Sequence, residues 1–487
     1  MKKILVLGLP AVLLFGCQSD KPKPSLAEVF QNINADEASH AQGYEALKEA
    51  TSVIGHRLTG SENGSHAETF AFDFLKKNGF EDVAFMPFEV EAWARKDINL
   101  HIQTSDSTWQ PEVVSLAHSP VHSDVEAPLI FLGSGLRKDF ENHAAEVKGK
   151  IVLANIGLEP ADSSAKNLHR SEKTALAIEY GAAGIILYNR VPGHILLTGT
   201  ASVTGSLNPI PAVNIAWEDG QKLKELFDKG ILSSAHIRMN NTSQMIKARN
   251  VIATVKGSEK PDEVVLIGGH LDSWDLATGA IDNGIGSFTV LDIARLFKSA
   301  NLHPARTVKF VMFMGEEQGL LGSNALIAQM KKDGTLDQVK CMVNLDMAGN
   351  PKGFTWGGRE EMKAFVDSIG AIITGVDSSF ADENKDGLGL HSDHAPFMME
   401  GIPTLGVVNN MDPEIYKYYH SNKDDFNLVT KSDMDNGARF TAMLLYALAD
   451  AKTLPAKRLT SDETRDFLIA QGLKEEMIVA KTWRWSE

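Results

Sequence analysis

The stretch that decides the fold is Gly-Gly-His-Leu-Asp-Ser-Trp at residues 268–274, which directly follows the apolar run 264–267. Three acidic stretches come later: Ile-Asp-Asn-Gly at 281–284, Gly-Glu-Glu at 315–317 and Asn-Leu-Asp at 344–346. The last two also end an apolar run. One imidazole and several carboxylates are thus placed at the ends of successive predicted strands. Open α/β sheets collect ligands at the carboxyl edge of their strands, so this spacing predicts a metal site there.

The second half of the chain alternates strand and helix patterns. A helical segment at 287–299 is one of several that separate β-rich runs, which lie at 251–255, 264–267, 307–314, 341–345 and 404–408. This alternation is typical of a mostly parallel sheet with helices on both faces, which is the α/β class. We expect a discontinuous main domain at residues 26–113 and 245–455, followed by an acidic, amphipathic tail at 456–487.

The segment 114–244 has a different texture. It contains Gly-Lys-Ile-Val-Leu-Ala-Asn at 149–155, a helical pattern with a lysine at 172–180, Gly-Ala-Ala-Gly at 181–184 and a strand that ends in Tyr-Asn at 188–189. This order resembles the protease-associated domain. The resemblance implies a separate module inserted into the main domain.

Size and charge restrict the class of protein. The 487 residues suit two or three domains with a substantial core. The formal net charge is −15, and no long basic block follows the first residues, which argues against nucleic acid as a partner.

The N-terminus has the pattern of an export signal. Two lysines at 2–3 precede the apolar stretch 4–15, which is too short to span a bilayer. The sequence Leu-Phe-Gly-Cys at 14–17 resembles a bacterial lipobox, which implies a signal peptide at 1–17, a lipid anchor at Cys17 and a tether at 18–25. Since residue 18 is not Asp, the resemblance favours the outer membrane, facing the periplasm. An ordinary signal peptide cut elsewhere is the alternative. Cys341 then has no disulfide partner and is predicted to be a buried small hydrophobic residue.

Each candidate ligand also has a simpler interpretation. A histidine at a strand end, such as His270, is more often structural than metal-binding. Asp272, two residues later, can accept the other N–H of the imidazole and fix its tautomer. Asp282 could be a helix N-cap, or could bridge two metals with one oxygen to each. Adjacent Glu316 and Glu317 after an apolar strand are costly without a cation, and their side chains point apart, which suits different tasks.

Together these motifs resemble the co-catalytic dizinc aminopeptidase and glutamate carboxypeptidase family, in the branch that carries an inserted protease-associated domain. The resemblance covers nearly all of the chain beyond the tether. It implies a zinc exopeptidase fold, two zinc ions and the following roles: His270 and Asp346 on one zinc, Glu317 and a late histidine on the other, Asp282 as the bridge, Glu316 as general base and Asp272 as the residue that orients His270.

Three histidines could supply the late ligand: His391, His394 and His420. Tyr-His-Ser-Asn-Lys-Asp-Asp at 419–425 resembles the final ligand motif of the family, which favours His420. Ser-Asp-His-Ala-Pro-Phe at 392–397 resembles the loop that lines the substrate pocket, so Asp393 and His394 are candidate pocket residues.

The predicted function is metallo-exopeptidase activity on short peptides or dipeptides, as an aminopeptidase or dipeptidase, with a carboxypeptidase kept open. Manganese or cobalt could replace zinc at a carboxylate-rich site. The alternatives are an inactive peptide-binding lipoprotein on the same scaffold and a single-zinc aminoacyl cyclase. The sequence leaves open the peptide terminus attacked and the oligomeric state, with a homodimer as one option.

Overall fold

The computed structural model describes residues 23–105 and 107–486. The predicted signal peptide, including Cys17, lies outside the described residues. Within the described part of the chain, no helix is both long enough and apolar enough to cross a bilayer.

The strands and helices follow the predicted alternation. The strands are β1 Val83–Thr104, β2 Thr108–Trp109, β3 Val113–Ser115, β4 His122–Phe131, β5 Ile151–Asn155, β6 Gly184–Tyr188, β7 Ala212–Ile215, β8 Leu232–Val255, β9 Lys260–His270, β10 Arg306–Phe313, β11 Val339–Asn344, β12 Gly353–Thr355 and β13 Thr404–Val408. The α-helices are α1 Leu26–His40, α2 Gly43–Val53, α3 Glu62–Lys77, α4 Arg137–Asn142, α5 Ala144–Val147, α6 Arg170–Glu179, α7 Trp217–Asp228, α8 Ile285–Ser299, α9 Leu321–Asp333, α10 Lys363–Val376, α11 His394–Met399, α12 Pro413–Tyr416, α13 Lys431–Asp450, α14 Ser461–Ala470 and α15 Lys474–Val479.

One mixed sheet connects these strands in the order β12-β13-β11-β9-β10-β8-β4-β5-β6-β7-β3. Strands β13, β11, β9 and β10 are parallel to one another, while β12 and β8 add antiparallel edges to this block. The predicted α/β class is confirmed. The parallel block places the carboxyl ends of β9, β10 and β11 side by side.

The inserted segment has its own parallel strands, β4 to β7, with β3 antiparallel at the far edge. A long antiparallel ribbon of β1 and β8 connects it to the main sheet, because β8 pairs with both β10 and β4. The boundaries that the sequence suggested, 113/114 and 244/245, fall inside β3 and β8. The two parts of the molecule therefore share a continuous backbone ladder.

The parallel strands are buried on both faces. In β10, Phe310 and Met312 pack into the large cluster formed with α1, α2, α8 and α13, whereas Val311 and Phe313 face the smaller cluster formed with α9 and α11. This alternation follows from the two-residue period of a strand. Cys341 of β11 is buried in the large cluster, as predicted.

The C-terminal segment is part of the folded molecule. Leu468 of α14 and Met477 of α15 pack with Leu390, Ala395 and Met398, which belong to the segment before and within α11. The tail therefore supports the same segment that the sequence suggested as a pocket wall.

Candidate active site

His270 is the last residue of β9 and is 1% exposed. Its Nε2 atom lies 3.2 Å from Oδ1 of Asp282, 3.5 Å from Oδ1 of Asp346 and 3.9 Å from Oε2 of Glu316. These four residues come from three strand ends and from the start of α8. The carboxyl edge of the parallel block thus brings together the groups that the sequence placed there.

Asp282 faces two histidines at once. While Oδ1 lies toward His270, Oδ2 lies 2.8 Å from Nε2 of His420. Both histidines are buried, and Asp282 is 4% exposed. A carboxylate with one oxygen toward each of two imidazoles has the arrangement expected of a ligand that bridges two metal ions.

The adjacent acids Glu316 and Glu317 have different neighbours. Oε2 of Glu317 lies 2.9 Å from Nε2 of His420, whereas Glu316 lies near His270 and borders the cavity described below. Burial raises the pKa of Glu316 well above its ordinary value; the nearby His270 opposes the increase, and the acids Asp346 and Glu317 add to it. The two side chains are therefore placed for separate tasks.

Asp272 supports His270 mainly through its backbone. Nδ1 of His270 lies 3.1 Å from the carbonyl oxygen of Asp272 and 3.6 Å from its carboxylate oxygen Oδ1. The same Oδ1 accepts a hydrogen bond from the backbone N–H of Glu316 at 3.3 Å. Asp272 thus orients the imidazole through its carbonyl and connects the β9 and β10 loops through its carboxylate.

The residues at this site fit metal ions. Two groups of ligand atoms lie within 4.8 Å of one another, namely His270, Asp282 and Glu317, and His270, Glu316 and Asp346. His420 is not among the atoms of the first group, but it contacts two members of that group, Asp282 and Glu317, and so belongs to the same site. Within the described chain, Oε1 of Glu317 is buried without a hydrogen-bond partner. Buried carboxylates this close repel one another unless protons or cations compensate them, and a set of nitrogen and oxygen donors suits zinc.

Arg57 was not identified from the sequence, yet it is fully buried beneath the site. Its guanidinium donates hydrogen bonds to the carbonyl oxygens of Leu271, Thr278 and Gly279 at 2.6–2.7 Å. These carbonyls belong to the loops that carry His270 and Asp282. An arginine between two predicted helices, far away in sequence, gives no signal of this role.

Two further supports for Asp282 were also missed. The carboxylate of Asp424 accepts hydrogen bonds from the backbone N–H groups of Ile281 and Asp282, at 2.7 and 3.0 Å. The side chain of Asn283 donates to the carbonyl oxygen of Leu345, and its Oδ1 accepts from the backbone N–H of Met347. The motif 281–284 is thereby tied to the loop after β11 and to the loop after His420.

The inserted segment reaches the site through His420. The Nδ1 atom of His420 lies 2.8 Å from Nη2 of Arg170 and 3.2 Å from the carbonyl oxygen of Thr198. The backbone N–H of Thr198 also donates to the carbonyl oxygen of His420 at 2.8 Å. The guanidinium lies against Gly199, where an added Cβ would come within 1.8 Å of Nε of Arg170. A glycine is needed at position 199 for this close approach.

A cavity of about 600 Å³ opens beside the cluster. Its walls include His270, Asp282, Glu316 and Asp346 of the site, together with Arg170 and Arg190 of the inserted segment. His394 lines the cavity, whereas Asp393 is fully buried outside its lining. Burial raises the pKa of Asp393 to about 7.

A sheet of this kind, with buried acids and imidazoles clustered at its carboxyl edge, has the arrangement of a metal-dependent α/β enzyme. The sequence profile of Peptidase family M28 matches residues 250–445, and that of the PA domain matches residues 125–223. The parallel block is thus similar to Peptidase family M28 and the inserted segment to the PA domain, which confirms the resemblance drawn from the motifs of the chain.

The chain is similar to relatives over most of its length. It is 24% identical over 443 residues to Carboxypeptidase Q of Homo sapiens, spanning 88% of this chain and 90% of the relative. It is 26% identical over 478 residues to Aminopeptidase YwaD of Bacillus subtilis, spanning 93% and 96%. A solved structure of a Peptidase M28 precursor from Shewanella amazonensis superposes with a TM-score of 0.76 at 23% identity, covering 89% of this chain and 99% of that one. An aminopeptidase from Aneurinibacillus has the same fold, with a TM-score of 0.65, 24% identity and coverage of 89% and 98%.

Proposed function

We propose that this protein is a two-metal exopeptidase that hydrolyses the N-terminal peptide bond of short peptides, with zinc as the metal. The observation that carries the proposal is the position of Asp282, whose two oxygens face His270 and His420 separately. Each histidine has a further acid of its own, Asp346 near His270 and Glu317 near His420. Two ions that share one carboxylate account for this arrangement.

The residues would divide the work as follows. His270 and Asp346 would hold one ion, Glu317 and His420 the other, and Asp282 both. Bound there, the ions would supply Lewis acidity to the scissile carbonyl and to the attacking water. Manganese or cobalt could take the same donors.

Glu316 is the proposed general base. It borders the cavity, and burial raises its pKa, which matches a carboxylate that accepts a proton near neutral pH. It would take the proton of the attacking water and deliver it to the leaving amine. The carboxylate of Asp272 accepts a hydrogen bond from the backbone N–H of Glu316, which holds this acid at the edge of the cavity.

Short peptides are the proposed substrates, because residues of the PA domain line the same cavity as the candidate metal ligands. Arg190 lines it, while the acids that line it are Asp282, Glu316 and Asp346 of the ligand set. A cationic side chain in the same cavity as these acids favours a substrate with a free amino group and a free carboxylate. A dipeptide with both termini free has this distribution of charge.

An inactive binding scaffold is less well supported, since none of the predicted ligand positions is replaced by a residue that could not bind metal. A single-zinc cyclase needs only one set of ligands, whereas this chain places acids beside both His270 and His420.

The test is metal removal and return. Protein treated with a chelator should lose peptidase activity and recover it on addition of two equivalents of zinc. Activity that persists in protein shown by elemental analysis to be free of transition metal would refute the proposal. Recovery of full activity with one equivalent would refute the two-metal count.

We also propose, from residues 2–18 alone, that the protein is exported and anchored by lipid at Cys17 to the outer membrane, facing the periplasm. The charged start, the short apolar stretch and the lipobox-like sequence support this proposal.

A further inference from the structure

A second cluster of metal-binding side chains lies beside the cavity, outside the site described above. It consists of Glu172 of α6, His391 of the segment before α11 and Glu476 of α15, whose ligand atoms lie within 4.8 Å of one another. The Nε2 atom of His391 is 3.0 Å from Oε1 of Glu476. The three residues come from the PA domain, the cavity wall and the C-terminal tail.

Glu172 has an oxygen that nothing in the described chain satisfies. Its side chain is buried, with 1% of the residue exposed. Oε2 accepts a hydrogen bond from the backbone N–H of His169 at 2.7 Å, while Oε1 is buried without a partner among the described residues. A buried carboxylate oxygen without a partner costs free energy unless a cation or another donor meets it.

We propose that Glu172, His391 and Glu476 form an additional binding site for a divalent transition-metal ion such as zinc. One imidazole nitrogen and two carboxylate oxygens are donors that zinc accepts, and three protein ligands leave the fourth position for water. Lys166 pairs with Oε2 of Glu476, which leaves Oε1 to face His391. The ammonium of Lys166 is on a side chain that is 64% exposed, so it can turn toward solvent when a cation binds.

Such an ion would join the PA domain, the segment before α11 and the C-terminal tail. It would lie at the wall that separates two cavities. His169 and His391, whose rings stack at 4.6 Å, line both the cavity beside the metal cluster and a neighbouring cavity of about 440 Å³. Glu476 belongs to α15, and the residues that follow this helix also line the second cavity. The cation would therefore fasten the C-terminal tail to the PA domain between the two cavities.

The test compares zinc stoichiometry in full-length variants by equilibrium dialysis, after chelator treatment. H391Q and E476Q should each bind one equivalent fewer than the wild type. E475Q is the matched control: it changes the neighbouring residue of the same helix, whose side chain is 66% exposed and pairs with Arg137. E475Q should keep the wild-type stoichiometry. The main site is unchanged in the wild type and in all three variants. The zinc bound there is therefore the same in each protein and does not affect the difference in stoichiometry.

A second measurement distinguishes a cation site from a network of hydrogen bonds. Zinc should protect the C-terminal tail of the wild type and E475Q from proteolysis, and should protect neither H391Q nor E476Q. Circular dichroism establishes that the variants are folded, and the 47% exposure of the His391 side chain favours tolerance of its replacement. Equal zinc stoichiometry in wild type, H391Q and E476Q would overturn the proposal, even if the variants lost stability.

Discussion

Nη2 of Arg170 lies 2.8 Å from Nδ1 of His420. A side chain of the PA domain thus touches the outer nitrogen of this imidazole, the one that points away from the other candidate metal ligands. The opposite nitrogen of the same ring faces Asp282 and Glu317. The carbonyl oxygen of Thr198, also from the PA domain, lies 3.2 Å from the same outer nitrogen and can accept its proton, which would leave the opposite nitrogen free to bind a metal. The inserted domain therefore helps to position this imidazole in addition to lining the cavity.

The first prediction concerns this contact. Arg170→Met should strengthen zinc binding at the position of His420 by a factor on the order of 10, the value of one charged contact of about 1.4 kcal/mol. The guanidinium has only N–H donors, so its contact to Nδ1 places the ring proton on Nε2, the nitrogen that faces Asp282 and Glu317. Equilibrium dialysis with zinc measures the affinity. Arg190→Met is the comparison, because Arg190 lines the same cavity and its guanidinium lies over the ring of Tyr416. It should leave the zinc affinity unchanged. Unchanged or weaker zinc binding by Arg170→Met would contradict this effect of the contact.

The second prediction separates the adjacent acids. Glu316→Gln should keep its metal content while turnover falls about a hundred- to ten-thousand-fold, the range for a lost general base. Glu317→Gln should instead lose metal, because this acid contacts His420. Elemental analysis and turnover are measured on both proteins. The assignment of roles would be reversed if Glu316→Gln lost metal and Glu317→Gln retained it.

The sequence alone could predict the strands and the three candidate ligands at their ends, but not the position of His420. The strands β9, β10 and β11 were predictable because each is a short apolar run that ends in a polar motif, which places His270, Glu316 and Asp346 at one edge. His420 follows no long strand, so its position came from resemblance to a family motif. Its backbone has a positive φ of 55° and is held by contacts with residues far away in sequence.

The supporting residues could not be predicted, because their roles depend on tertiary contacts. Arg57 and Arg170 are more than 200 residues from the groups they contact. Asp272 illustrates a finer limit. Its spacing from His270 predicted a carboxylate contact, but the backbone turn brings its carbonyl closer to the ring than its carboxylate. Which of two oxygens approaches a ring depends on local dihedral angles that spacing does not specify.

The third prediction concerns Arg57. Arg57→Met should lower the free energy of unfolding by about 3 kcal/mol or more, because two buried carbonyl oxygens and one part-buried carbonyl oxygen lose their donor and several buried acids lose a compensating charge. The same change should reduce zinc affinity, since those carbonyls belong to the loops that position His270 and Asp282. Urea denaturation with and without zinc measures both effects. Loss of stability with unchanged zinc affinity would limit Arg57 to a role in folding.

The fourth prediction concerns export. Replacing Cys17 with Ser should release the protein from the membrane fraction, because the lipid attached at this position is the proposed anchor. Stable attachment requires more than one acyl chain, as in bacterial lipoproteins. Fractionation and acyl labelling of the wild type and the Cys17→Ser variant are the measurements. Unchanged membrane association of the variant, with no label on the wild type, would favour an ordinary signal peptide.

The fifth prediction concerns the ends of the substrate. If Arg190 binds a free carboxylate in this cavity, a dipeptide should be cleaved more efficiently than its C-terminally amidated form. Loss of one such charged contact, about 1.4 kcal/mol, corresponds to a tenfold change in binding. Arg190→Met should raise KM for the free dipeptide by about this factor, change kcat little and leave the amidated form unaffected. Comparable rates for the free and amidated dipeptides in the wild type would remove the preference for dipeptides. Efficient cleavage within a long peptide blocked at both ends would contradict exopeptidase activity itself.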